Sequence, residues 1–141
     1  MVLKIRSVHV DILNPFIQPG NQYDALSFHR DIDAYRFFKI FIYLKACKEG
    51  QGHHEYVTNT HNQFPSALIE FRSYSQEEIV TAIPSAHTVK MIGQSGFAFA
   101  ENTIGFHRGT LPDREYRLMA TIVYMQDRFK EIYPDYFFIK A

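Results

Sequence analysis

The chain has 141 residues, 46% hydrophobic and 21% charged, and its 15 basic and 15 acidic side chains cancel to zero formal charge. This composition describes one globular domain with a sizeable core and excludes a disordered chain, and balanced charge without a basic stripe argues against a nucleic-acid partner. Cys47 is the single cysteine, so neither an internal disulfide nor a cysteine metal cluster can form.

No apolar run reaches the length of a membrane span, and Met1–Arg6 lacks the core of a signal peptide. A cytoplasmic domain with no membrane partner is expected. Residues 2–12 alternate and are rich in β-branched side chains, which predicts a strand. Asn14-Pro15 and Pro19-Gly20-Asn21 are turn material. Residues 26–29 read as a short strand leading into Phe28-His29-Arg30-Asp31-Ile32-Asp33. Arg36–Leu44 is a strong strand, with Ile40, Ile42 and Leu44 on one face and Lys39, Phe41 and Tyr43 on the other. The second face suits a lined pocket, or else Lys39 marks an exposed strand end.

Glu49-Gly50-Gln51-Gly52 predicts a turn and His54–Thr58 a strand. Ser75-Gln76-Glu77-Glu78 has capping-box spacing, so a helix is expected over 76–82, stopped by Pro84. Strands are predicted at Thr88–Ile92, Phe97–Ala100, residues 103–107 and Tyr116–Met125, with a turn at Pro112-Asp113. Residues 127–141 form a tail rich in Tyr and Phe, expected to pack on the body or on another copy, which makes a homo-oligomer an open alternative. About eight short strands with little helix predict an all-β barrel or sandwich.

If residues 26–29 are extended, His29 and Asp31 point the same way, and His107 arriving from a second strand supplies another imidazole. Two histidines and one carboxylate with open positions form the ligand set of a mononuclear non-heme Fe(II) oxygenase. His53-His54 reads as a solvated turn, since neighbours on a strand face opposite ways. His9 and His87 have no partner at ligand spacing, and Cys47 is expected to be packed. Asp33 is either a solvated charge or a group orienting a ligand histidine.

Phe28-His29-Arg30-Asp31-Ile32-Asp33, then Lys39-Ile40-Phe41-Ile42-Tyr43-Leu44, Gly52, Tyr56-Val57, Gly93-Gln94-Ser95-Gly96, Gly105-Phe106-His107-Arg108-Gly109-Thr110 and Arg117 together resemble the phytanoyl-CoA dioxygenase family. The resemblance extends over roughly residues 25–125. It implies a double-stranded β-helix with Fe(II), 2-oxoglutarate as cosubstrate and O2, hydroxylating a small organic substrate. It makes His29, Asp31 and His107 the catalytic iron ligands and Arg117 the residue for the far carboxylate of 2-oxoglutarate, with Phe41 or Tyr43 lining that pocket. A buried dicarboxylate needs a fixed cation, and arginine can hold it through two parallel hydrogen bonds. Arg114 competes for the role but falls in a turn. Halogenating relatives leave the carboxylate position vacant, so Asp31 favours hydroxylation.

Two departures stand against this pattern. Gly52-His53 and Thr58-Asn59-Thr60-His61 replace the family's Gly-Pro and Pro-Gly-Ser-His, leaving His61 without an assigned role. Only 28 residues precede His29, so the expectation is a compact member, a domain of a larger chain, or a half-site needing a partner. A non-catalytic barrel that binds a ligand, and a cupin-type metal enzyme without 2-oxoglutarate, remain as alternatives.

Overall fold

The computed structural model describes residues 4–13, 26–34, 36–70, 72–113 and 115–125. Among them are seven strands: β1 (Lys4–Leu13), β2 (Phe37–Tyr43), β3 (His54–Val57), β4 (Thr88–Met91), β5 (Ala98–Glu101), β6 (His107–Gly109) and β7 (Arg117–Met125). One helix, α1 (Gln76–Ala82), and a 3-10 turn at Ser66–Leu68 complete them. The strands form two antiparallel sheets, ordered β1-β7-β2-β5 and β4-β3-β6. This is the expected all-β double-stranded β-helix, a jelly-roll barrel with little helix.

Alternation along β2 decides what lies between the sheets. Phe37, Phe41 and Tyr43 are buried, whereas Leu44 just beyond the strand is exposed. Phe41 and Tyr43 join Cys47 and Met119 in one core cluster, with Met91 and Phe99 packed against it. Cys47 is therefore packed, as expected. The face carrying Lys39, Phe41 and Tyr43 is the inner one, and Lys39 is not an exposed strand end. A second core of Phe28, Val57, Leu68, Tyr74, Ile79, Ile83, Ala86 and Phe106 lies beneath α1. That helix begins where the sequence places it: the Ser75 side chain accepts from the Glu78 N–H and the Glu78 carboxylate accepts from the Ser75 N–H.

Three expectations are corrected. Residues 26–29 do not form a strand; Phe28 and His29 make isolated bridges, to Tyr74 and His107. Residues 103–106 are likewise not a strand, and β6 begins at His107. The reason is a register slip: after the His29–His107 pair, the Asp31 N–H bonds Thr103 O at 2.8 Å, while Gly105 O accepts instead from the His107 ring. The ladder cannot continue past one pair. Finally, β1 carries a bulge between Ile5 and Ser7, so Ile5 is exposed and Ser7 buried although simple alternation puts them on one face. The turns at Asn14-Pro15 and Pro19-Gly20-Asn21, Arg114 and the 127–141 tail lie outside the described residues.

Gly105 sits at the centre of that slip. A Cβ there would lie 2.2 Å from the Tyr56 hydroxyl and 2.6 Å from Tyr56 Cζ. Gly105→Ala is expected to destabilise the fold by about 1–3 kcal/mol, the usual cost of overpacking. Urea denaturation of the two proteins measures it, and equal midpoints would contradict the close packing.

Candidate metal centre

His29 and His107 come from opposite ends of the chain and are joined by their backbones. His29 N–H bonds His107 O and His107 N–H bonds His29 O, both at 3.1 Å. Residues facing each other across such a pair project side chains to the same side, and the two imidazole rings lie 4.3 Å apart. Each Nδ1 reaches a carbonyl two residues earlier, Ser27 O at 2.8 Å for His29 and Gly105 O at 2.9 Å for His107. A carbonyl only accepts, so Nδ1 carries the proton and the Nε2 lone pair is left for another partner.

Asp31 faces both Nε2 atoms, and because an ionised carboxylate also only accepts, a proton or a metal ion has to sit between them. His29 Nε2 is 3.7 Å from Asp31 Oδ1, and His107 Nε2 is 3.3 Å from Oδ2. One ligand atom from each of the three residues lies within 4.8 Å of the others. Adjacent ligands of an ion bound at 2.0–2.2 Å are roughly 3 Å apart, so the carboxylate contacts are already close to that spacing. The chemistry of the donor set fits a divalent transition metal: two neutral imidazoles with fixed tautomers and one carboxylate.

Burial would raise the Asp31 pKa, but its hydrogen bond to His107, then the charges of His107 and Lys39, hold the carboxyl well below the usual carboxylate range. Burial, then the charge of His107, lowers the His29 imidazole. Burial would also lower His107, yet the hydrogen bond and charge of Asp31 lift it above its ordinary value.

Lys39 is a participant of this cluster. Its Nζ bonds Asp31 Oδ2 at 2.6 Å and Asp33 Oδ2 at 2.7 Å. Asp33 thus pairs with a lysine and is neither a solvated charge nor an orienting group for a histidine. His54 is also drawn in. It was read as part of a solvated turn with His53, but both rings are buried. His53 lies just before β3 and His54 opens it, and the two rings meet different partners. His53 meets Glu55 at 3.2 Å, whereas His54 stacks 5.5 Å from His107 and pairs with Glu101 at 2.9 Å. Tyr56 pairs with His107 across β3 and β6, which fixes His54 on the same face. His9 pairs with Asp11 at 3.8 Å, His87 meets Thr58, and His61 is exposed.

Arg117 opens β7 on the inner side. Its Nη1 donates to Gly52 O at 2.8 Å, while its Nε is buried with no acceptor. Burial lowers the guanidinium, opposed by the charges of Tyr43 and Cys47. Burial lowers the His54 imidazole, opposed by its hydrogen bond to Glu101, with the charges of His107 and Arg117 lowering it further. A buried guanidinium N–H without an acceptor fits an incoming carboxylate. Phe41 lies 4.9 Å from the His54 ring and 5.2 Å from Phe99. Tyr43 offers only its ring, because its hydroxyl donates to Met91 O and accepts from the His54 N–H. The signal for His54 was its place two residues before Tyr56 on a strand; Glu101 gave none beyond being a carboxylate at the end of an apolar run.

No family model matches the chain, and no curated protein matches it by sequence. Solved structures do match in fold. SnoK, described as a non-heme alpha ketoglutarate dependent carbocyclase from nogalamycin biosynthesis, has a TM-score of 0.61 at 15% identity, covering 88% of this chain and 50% of its own. AviO1 from Streptomyces viridochromogenes Tue57 has a TM-score of 0.63 at 14% identity, covering 90% and 52%. SnoN, described as a non-heme alpha ketoglutarate dependent epimerase, has a TM-score of 0.62 at 19% identity, covering 88% and 49%. The chain spans about half the length of these structures.

The Lys39 contact yields a prediction. A fixed cation on Asp31 opposes a second cation there by Coulomb repulsion, so Lys39→Met is expected to bind Mn(II) about tenfold more tightly than the unaltered protein. Isothermal titration calorimetry reads this directly. Weaker binding in the variant would show that Lys39 holds Asp31 in place and does not compete.

Proposed function

We propose that the chain is an Fe(II)- and 2-oxoglutarate-dependent oxygenase domain of the phytanoyl-CoA dioxygenase type, hydroxylating a small organic substrate in the cytoplasm. The observation that carries this reading is the His29–Asp31–His107 cluster, with two imidazoles locked as Nε2 donors around one carboxylate. Iron with 2-oxoglutarate and O2 supplies the oxidation of a substrate C–H bond. The fold neighbours named above carry carbocyclase and epimerase descriptions, so the product distinguishes hydroxylation from these outcomes.

The chain's own residues have separable tasks. His29 and His107 contribute Nε2 and Asp31 one oxygen. Arg117 anchors the far carboxylate of the cosubstrate through its unanswered Nε–H, while its bond to Gly52 O fixes the plane of the guanidinium. Phe41 and the Tyr43 ring, backed by Phe99, keep water from the space between. The Tyr43 hydroxyl pins the start of β3, and with it His54 beside His107. A second reading, a barrel that binds a ligand without turnover, is favoured by Lys39 already sitting on Asp31.

Succinate formation from 2-oxoglutarate in the presence of Fe(II) and O2 separates the two. Turnover is expected, with Arg117→Ala raising the KM for 2-oxoglutarate about a hundredfold, as for a truncated buried charge pair. Arg117→Lys should recover only part, since a point charge cannot reproduce a planar fork. Turnover indifferent to Arg117→Ala would remove that residue from the cosubstrate site, and no turnover in folded, iron-loaded protein would favour the non-catalytic barrel.

A further inference from the structure

A cavity of about 840 Å³ opens beside the His29–Asp31 side of the cluster. Its lining is dominated by apolar side chains, among them Ile32, Phe37, Phe64, Leu68, Ile69 and Phe106. Three of these are unusually exposed for their size: Ile32 at 59%, Phe64 at 54% and Ile69 at 63%. Large apolar groups gathered around one concavity next to reactive side chains are what a ligand pocket requires.

Besides Asp31, three charged residues line the cavity, and their polar contacts all lie within the chain, with only Arg30 Nε buried and lacking an acceptor. Arg30 donates through Nη1 to Thr60 O and Ile104 O and through Nη2 to Gln63 O, all at 2.8 Å. Its guanidinium carbon lies 4.0 Å from the Phe106 ring centroid and 4.7 Å from that of Phe64, and its Nε–H is buried without an acceptor. Arg72 donates to Glu70 at 3.3 Å, to Ser73 O at 2.9 Å and to Glu78 at 2.8 Å. Glu70 is the third, and Arg72 is its partner. To find a cation, a phosphate or carboxylate entering this cavity would have to break the ion pairs of Arg72 or pull Arg30 away from three carbonyls and a ring. An apolar body meets open hydrocarbon and rings.

We infer that this cavity is the substrate site of the oxygenase proposed above, and that it takes an uncharged, largely hydrophobic molecule with one C–H held at the His29–Asp31 side. The inference rests on that functional reading for the word substrate, and on the cavity alone for the ligand class.

The test uses the full chain and the uncharged fluorophore N-phenyl-1-naphthylamine. Saturable fluorescence enhancement is expected, weakened about tenfold by Phe64→Ser and by Ile69→Ser through the loss of apolar contact. Both residues are more than half exposed, so these variants keep the fold. Dodecanol should displace the probe about tenfold more tightly than dodecanoate, the same chain bearing a charge. Equal or better displacement by dodecanoate, or serine variants that bind as the parent does, overturns the ligand class.

Mn(II) then places the ligand. Selective broadening of the proton resonances of bound dodecanol, abolished by His107→Ala, supports a substrate site at the metal. Mn(II) that binds without broadening them overturns the substrate assignment while leaving the metal centre standing. Mn(II) that does not bind at all refutes the oxygenase reading itself, and the substrate assignment falls with it.

Discussion

The site depends on one ring of two hydrogen bonds, His29 N–H to His107 O and His107 N–H to His29 O. No strand accompanies this pair on the His29 side, so the pairing is local and the surrounding packing has to hold it. Phe28 and Phe106, each immediately before a histidine, are fully buried in the same core under α1. The Arg30 guanidinium, one residue after His29, is tied to the carbonyls of Thr60, Gln63 and Ile104. The Thr60 hydroxyl accepts from the Phe106 N–H and donates to Val57 O. Hydrophobic burial thus clamps the bridge, and a polar web fixes its direction. The register slip at Gly105 then frees one carbonyl to set the His107 tautomer.

Charge inside the barrel is arranged so that nearly every ionised group has a named partner. Lys39 joins Asp31 to Asp33, Glu101 meets His54, and Glu55 is shared by His53 and Arg108. Against that background the unanswered atoms stand out. The Nε atoms of Arg30 and Arg117 and one oxygen of Glu101 are buried without partners, and Arg117 and Glu101 both interact with His54. Polar groups left unpaired in a low-dielectric interior cost free energy, so a ligand that satisfies Arg117 is favoured by more than its own contacts. In the groove lined by Phe64 and Ile69, Arg72 is paired with Glu70 and Glu78 and Arg30 is engaged by three carbonyls, so apolar surface is most of what remains to be covered.

Much of this was legible from residue order. Alternation on β2 put Phe41 and Tyr43 on one face with Lys39, leaving open whether that face lined a pocket, and Ser75 with Glu78 marked the start of α1 to the residue. The spacing His29-x-Asp31 with a distant His107 predicted a cluster that the fold does bring together, though not by the extended strand from which it was argued; a single backbone pair is enough. What could not be read was long-range partnership. Lys39 had two readings because an inward lysine is tolerable only with carboxylates that sequence cannot place in space. His54 looked solvated because nothing local announces that Glu101 will answer it, and His53 because its burial beside Glu55 depends on the packing of distant segments. The β1 bulge at Ile5 and Ser7 escaped for the same reason: alternation assumes a regular ladder.

The most direct test of the centre is spectroscopic and needs no substrate. Fe(II) and then 2-oxoglutarate are added anaerobically to the purified protein while the visible charge-transfer absorption of the iron–oxoacid chelate is followed. The account predicts a band that saturates with 2-oxoglutarate and is absent from His107→Ala. Folded protein that develops no band at saturating iron and 2-oxoglutarate would contradict it, leaving a barrel whose three clustered side chains are held by Lys39 and not by a metal.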